Sequence, residues 1–375
     1  MNILMKKIRA EWHYVENGIP FQRIQKMEED NITVYPGSND KSSSPDEVFT
    51  LAKELKPDLI LLHEDVNNIT KYLKPNKFEG MCWFPYDLDF AVSSLSELMN
   101  RASFIRWHPV CISVSTQMLL EDMGYECDQL YNMANEEAFC PLTGNETEDY
   151  RQEFFRNIGV PREKWGRFIL LYVGRLSGRK NIEGLYGMVQ ELMKIRKDFF
   201  LVIHGDTNDP GRTCDHLVEV MTRGISDHVI FDQTSAYARN VDDKELNKLY
   251  NMADLYVSAS TGEGFGIPIV EAGLCQKPFV ITEGTTSWEF SQRHAHGIPV
   301  PYSKDTRNYG RVDRPMPDHV EMAKIIDMLL TQEDRRIKMG EDFRKWVMLN
   351  CSVDVVIKKF ERLIDMHYCK EVKLA

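Results

Sequence analysis

The stretch "ADLYVSASTGEGFGIPIVEAGLCQKPFVIT", residues 253–282, passes from a short apolar run through a glycine turn into a helix and out into a second apolar run. "ADLYVSAS" (253–260) and "KPFVIT" (277–282) have the length and β-branched content of buried strands. Between them "TGEGFG" supplies glycines for a turn, and Pro268 suits the first position of a helix. A strand–helix–strand unit of this kind builds a parallel sheet. Glu263 in the turn and Glu271 beyond Pro268 then flank the helix start, where backbone N–H groups of residues 264–267 favour an anion. Carboxylates beside an anion site repel it, so this pair is suited to hydroxyl groups. A pair that only complemented the helix dipole would explain Glu271 but not Glu263 among its glycines.

The same alternation runs outward in both directions. Upstream lie the strand-like runs "RFILLYVGR" (167–175), "FFLVIHGD" (199–206) and "HVIFDQ" (228–233), each separated by helix-compatible sequence. The first half carries "DLILLHED" (58–65) after the amphipathic "SPDEVFTLAKELK" (44–56), then "GMCWFPYD" (80–87), the helical "SLSELMNRA", and "VCISVS" (110–115) feeding "TQMLLEDMG". Ser115 or Thr116 is the expected cap of that last helix and Gly124 its stop. A polar interval, 142–166, reads as a linker, partly helical and partly extended. The fold expected is α/β, with two Rossmann-like domains whose parallel sheets face across a cleft. The domains are 1–150 and 151–351, and an amphipathic helix over about 352–368 can pack back on the first.

Composition narrows the class. The chain has 375 residues, 43% apolar and 27% charged, with a net charge of -11. That acidity argues against a nucleic-acid partner. Eight cysteines are scattered without a C-x-x-C pair, which excludes a zinc cage of that type and points to a reducing, cytoplasmic setting. "MNILMKKIRAEW" is too short in apolar residues for a signal peptide, and no window is long enough to span a bilayer. Lys6, Lys7 and Arg9 allow at most a weak membrane-surface association.

The first strand of the second half leads into "GRLSGRKNIEGL" (174–185). Gly174 permits a tight turn, and Arg175 with Lys180 projects from the strand end. A planar fork of donors and a compact ammonium together suit a diphosphate.

"VGRLSGRKN", followed by "ADLYVSASTGEGFGIPIVEAGLCQKPFVIT", resembles the family 4 (group 1) glycosyltransferases of the GT-B fold over roughly 167–290. Glu263 and Glu271 match that family's E-x7-E element, and Arg175 and Lys180 match its donor-diphosphate pair. "LYNMANEEAFCPL" (130–142) resembles the segment that closes the family's N-terminal domain. The resemblance implies retaining transfer of a sugar from a UDP- or GDP-linked donor to a glycan, lipid-linked or protein acceptor, with no cofactor and no metal. Arg175, Lys180 and the turn Gly264, Phe265 and Gly266 would bind the donor diphosphate, with Thr285 near the distal phosphate. Glu271 would accept the ribose hydroxyls, and Glu263 would touch the transferred sugar.

The first half departs from the family pattern. Gly18 in "HYVENGIPFQRI" is the best candidate for the expected glycine loop, with Arg23 beside it. Where the family often carries a histidine after the strand at "MCWFPYD", this chain has Tyr86 and Asp87, and Asp87 is placed to bond the donor sugar or orient the acceptor. His108 reads as structural. "DLD" (87–89) also matches a metal-binding D-x-D, which the fold reading disfavours. "GDTNDPGR" (205–212) is either a nucleotide-bordering loop or a plain turn. Two other functions stay open, a nucleotide-sugar epimerase on the same fold and a non-catalytic sugar-nucleotide or glycan-binding protein.

Overall fold

The computed structural model describes residues 3–6, 27–29, 32–34, 45–63, 65–87, 93–232, 241–284, 286–305 and 314–368, with side chains from Val48 onward except at 304 and 305. Gly18, Arg23, Asp89 and Thr285 lie outside the described residues.

After β1 (Ile3–Lys6) comes an antiparallel pair, β2 (Met27–Glu29) and β3 (Ile32–Val34). β1 pairs in parallel with β4 (Leu59–His63), followed across the sheet by β5 (Gly80–Phe84), β6 (His108–Cys111) and β7 (Asp128–Gln129). β4 and β5 are almost wholly buried, because helices on both faces demand continuous apolar runs rather than alternation.

The second sheet contains β8 (Phe168–Val173), β9 (Phe199–His204), β10 (Val229–Phe231), β11 (Leu255–Ser258), β12 (Phe279–Thr282) and β13 (Gly297–Val300). Its spatial order is β10-β9-β8-β11-β12-β13, every pair parallel. The order reverses between β8 and β11, where Leu255 and Tyr256 pair with Leu170 and Leu171. At such a switch point the loops leaving two neighbouring strands diverge and open a crevice at their carboxyl ends. An antiparallel pair, β14 (Tyr302–Asp305) and β15 (Arg314–Pro317), follows β13. Neither β13 nor this pair stands out in the sequence pattern.

One local expectation changes and another gains detail. The cap of the helix Val114–Asp122 is Ser113, whose side chain accepts from the Thr116 N–H, rather than Ser115 or Thr116. The interval 142–166 holds a full helix, Gly144–Asn157, closed by a capping box in which Thr143 and Glu146 bond each other's backbone. That helix lies against the second domain, with Tyr150 Oη donating to Glu245 at 2.8 Å.

The chain crosses between the domains twice, and the crossings touch. Ala134 N donates to Cys351 O at 2.7 Å, and the helix Val353–His367 then returns to the first sheet, where Tyr368 Oη donates to Gly80 O at 2.7 Å. One apolar cluster spans the junction, joining Met81 and Trp83 to Leu171, Phe265 and Phe343. Among the described residues no helix is long and apolar enough to cross a membrane.

Candidate active site

The loops leaving β8 and β11 are stitched together at the switch point. Asn181, in left-handed backbone at φ 48°, caps the helix Ile182–Ile195 and donates its side-chain amide to Ala259 O at 3.1 Å. The Thr261 N–H and hydroxyl both donate to Arg179 O, at 2.9 and 3.0 Å. These bonds set the 3-10 turn Gly178–Lys180 face to face with Glu263.

Lys180 Nζ lies 2.6 Å from Glu263 Oε1, with both side chains less than a fifth exposed. Arg179 Nη1 is 3.6 Å from Glu263 Oε2 and also bonds the Gly262 carbonyl. Burial pushes the Glu263 carboxyl up, but the neighbouring Lys180 and Arg179 charges and bonds from Lys180 and Ser260 outweigh it, so the group is held below the usual glutamate value. Glu263 is therefore ionised at neutral pH.

Asp87 meets this cluster from the first domain. Its Oδ2 is 3.4 Å from Arg179 Nε and 3.4 Å from Nη1 of Arg314, which arrives on β15. The approach is tight. A Cβ at Gly262 would collide with the Asp87 carbonyl and come within 2.7 Å of Arg314 Nη1. Arg314 Nε is buried without a hydrogen-bond partner among the described residues.

Arg175 takes a different partner from Lys180. Its fork grips Asp209, Nε to Oδ2 at 2.8 Å and Nη2 to Oδ1 at 2.9 Å, which holds the Asp209 carboxyl below its ordinary range. The loop 205–212 thus supplies the carboxylate that holds the Arg175 fork. Glu271 lies on the helix Ile267–Leu274, where its Oε2 accepts from the buried Tyr250 hydroxyl at 2.7 Å. Gly266, at φ 87°, caps that helix in a backbone region that favours glycine. Phe265 is 4% exposed and its ring packs on Tyr131 and Phe290. What it and Gly264 present at the helix start is backbone.

Beside Glu263 lies a recess of about 20 Å³, room for one water, lined by residues that include Ser260, Thr282, Gly284, Thr286 and Pro315. The hydroxyls of Thr282 and Thr286 are buried there without partners among the described residues. Sequence reasoning marked Glu263, Lys180 and Asp87, which the structure gathers, but missed Arg179, Arg314 and Asp209.

The family model described as glycosyl transferases group 1 matches residues 153–346, more than half of the chain. The chain belongs to the group 1 glycosyl transferases. It is 36% identical over 117 residues to the O-antigen chain mannosyltransferase B of Escherichia coli, covering 31% of this chain and 29% of that protein. To the serotype-specific mannosyltransferase WbdA of Escherichia coli it is 30% identical over 125 residues, 33% of this chain and 14% of that protein. The chain thus matches well under half the length of these curated relatives. Among solved structures, Anabaena HepE in complex with UDP superposes with a TM-score of 0.65 at 16% identity, covering 86% of this chain and 82% of that one. That likeness shows the fold, the two-domain GT-B arrangement. The family match includes the loops that carry Arg175, Arg179, Lys180, Glu263 and Glu271, and Arg314 near its end; Asp87 falls outside it.

Proposed function

We propose that this group 1 enzyme moves a sugar from a nucleotide-diphosphate donor to an acceptor hydroxyl, with retention and without a metal ion, as in family 4. The observation that carries this reading is the cation set at the switch point, Lys180, Arg179 and Arg314, held by Glu263 and Asp87. A diphosphate entering here exchanges with carboxylates for cations that are already arranged, so little reorganisation is needed. As the bond from the sugar C1 to the diphosphate lengthens, negative charge grows on the leaving group. The cations and the N-terminus of the helix Ile267–Leu274 stabilise that charge. The acceptor oxygen bonds C1 on the face the diphosphate leaves, and the acceptor proton passes to a phosphate oxygen of the departing group.

Glu263, kept ionised, accepts from a hydroxyl of the transferred sugar. Glu271, steadied by Tyr250, accepts from the ribose. Arg175, aimed by Asp209, adds its remaining N–H groups to the diphosphate. The acceptor, whether glycan, lipid-linked or protein, is approached from the first domain. Mannosyltransferases and UDP-N-acetylglucosamine–peptide transferase subunits among the relatives make mannose and N-acetylglucosamine donors the first to try.

The test is a thermal-shift screen of UDP, GDP and their sugar conjugates, then product analysis with the best donor in the presence of EDTA. A raised melting temperature and an α-configured product from an α-configured donor support the reading. No shift with any nucleoside diphosphate, or turnover restored only by Mg²⁺ or Mn²⁺, overturns it.

A further inference from the structure

The terminal helix carries a second cluster of chemistry to the far end of the first sheet. The proposed donor site lies beyond the carboxyl ends of strands, whereas His108 and Asp128 are the first residues of β6 and β7. His108 Nε2 is 2.6 Å from Asp128 Oδ2, and His367 Nε2, from the last turn of the helix Val353–His367, is 2.9 Å from the same oxygen. Three separate elements therefore bring two imidazole nitrogens and a carboxylate oxygen within 4.8 Å of one another. The next residue, Tyr368, pins the helix end by its bond to Gly80 O at the start of β5.

We propose that His108, Asp128 and His367 bind a divalent transition-metal ion of the zinc class, which staples the terminal helix to the first sheet. Two nitrogens and one oxygen suit zinc better than magnesium, which prefers oxygen alone. Zinc–ligand bonds of about 2.0–2.2 Å separate tetrahedral donor atoms by roughly 3.3 Å, so the cluster opens by about half an ångström on loading. The imidazoles lie stacked, with centroids 3.5 Å apart, and the His367 ring turns to point its lone pair at the ion. It has room to do so, being 32% exposed at a helix end. Water completes the shell from the exposed side.

The experiment titrates the metal-stripped full chain with ZnCl₂, followed by calorimetry and thermal unfolding. One equivalent should bind and raise the melting temperature. His367→Ala should fold and abolish the rise, and Asp128→Asn should weaken binding at least tenfold. Mg²⁺ should give no rise. Because the described cysteines are free thiols that also take zinc, Co²⁺ serves as a second probe. It should show weak visible bands without intense thiolate charge transfer, and His367→Ala should remove them. No zinc binding at a large molar excess overturns the proposal. Zinc binding unchanged in both variants, or a thiolate signature, does so as well. The donor test is separate, since nucleoside diphosphate should bind equally to metal-stripped and loaded protein.

Discussion

Glu263 owes its charge to its neighbours. Burial alone would favour the neutral acid, and Lys180 with Arg179 reverses that balance. Glu263→Gln keeps the shape and removes the charge. It should lower turnover roughly 10²–10³-fold, as loss of one aligned polar contact to a transition state does. Nucleoside diphosphate affinity, measured by calorimetry, should change far less; an unimpaired turnover would remove Glu263 from the chemistry. Asp209 acts one step further back, since it touches Arg175 and orients its fork. Arg175→Ala should weaken nucleoside diphosphate binding by about 1.5–3 kcal/mol. Asp209→Ala should cost less, and the double variant no more than Arg175→Ala alone, because the carboxylate has no effect once its arginine is gone. Full additivity would mean that Asp209 meets the ligand directly. Glu263 and Lys180 were readable because motif spacing marked them. Arg179 was not, since only the 3-10 turn decides which basic residue of "SGRKN" faces Glu263. Arg314 reaches the site from a distant strand that no local pattern announces.

Among the elements, strands buried on both faces were the legible ones. β4, β5, β8 and β9 are uninterrupted apolar runs, so their pattern survives without tertiary context. β13 is "GIPV" at the sheet edge, where a proline costs no ladder bond but hides the strand from propensity. β14 and β15 form only a two-stranded ribbon, and β15 carries two prolines. The short helix Thr286–Ser291 was equally unmarked, and it presents Glu289 to the other domain. Glu289 Oε2 accepts the Val114 N–H at 2.8 Å, at the start of the helix Val114–Asp122, while Oε1 is buried without a partner among the described residues. Burial raises the Glu289 carboxyl from 4.5 to about 8, against the pull of the Val114 and Ser115 N–H groups. Between those values the folded chain holds a proton that the unfolded chain has lost. The stabilisation from this acid is therefore full below pH 4.5 and disappears as pH rises through about 8. Glu289→Gln cannot ionise, so its melting temperature relative to the parent should climb as pH goes from 6 to 9. A difference that stays flat with pH would mean that Glu289 does not titrate in this range.

At the scale of the whole molecule, the two crossings at Ala134 and Cys351 are hydrogen-bonded to each other and form the natural pivot between the sheets. On the cleft side the domains are held by Asp87, facing Arg179 and Arg314, and by the backbone contact that only a glycine at 262 permits. In the proposed reaction the Asp87 carboxylate competes with the incoming diphosphate for Arg179 and Arg314 while it holds the cleft closed. Removing it has opposite effects on two observables. Asp87→Ala removes the carboxylate shared by Arg179 and Arg314 and leaves Arg179 only its contact to Glu263, so nucleoside diphosphate should bind at least as tightly as in the parent. Turnover should fall, because the first domain no longer docks against the donor loops. The ligand-free variant should also show a larger radius of gyration by small-angle scattering. Gly262→Ala should expand the free protein in the same way, since its Cβ cannot share space with the Asp87 carbonyl, yet it leaves both charges in place. A tenfold loss of nucleoside diphosphate affinity in Asp87→Ala, with an unchanged radius, would make Asp87 a ligand contact rather than a counter-ion across the cleft.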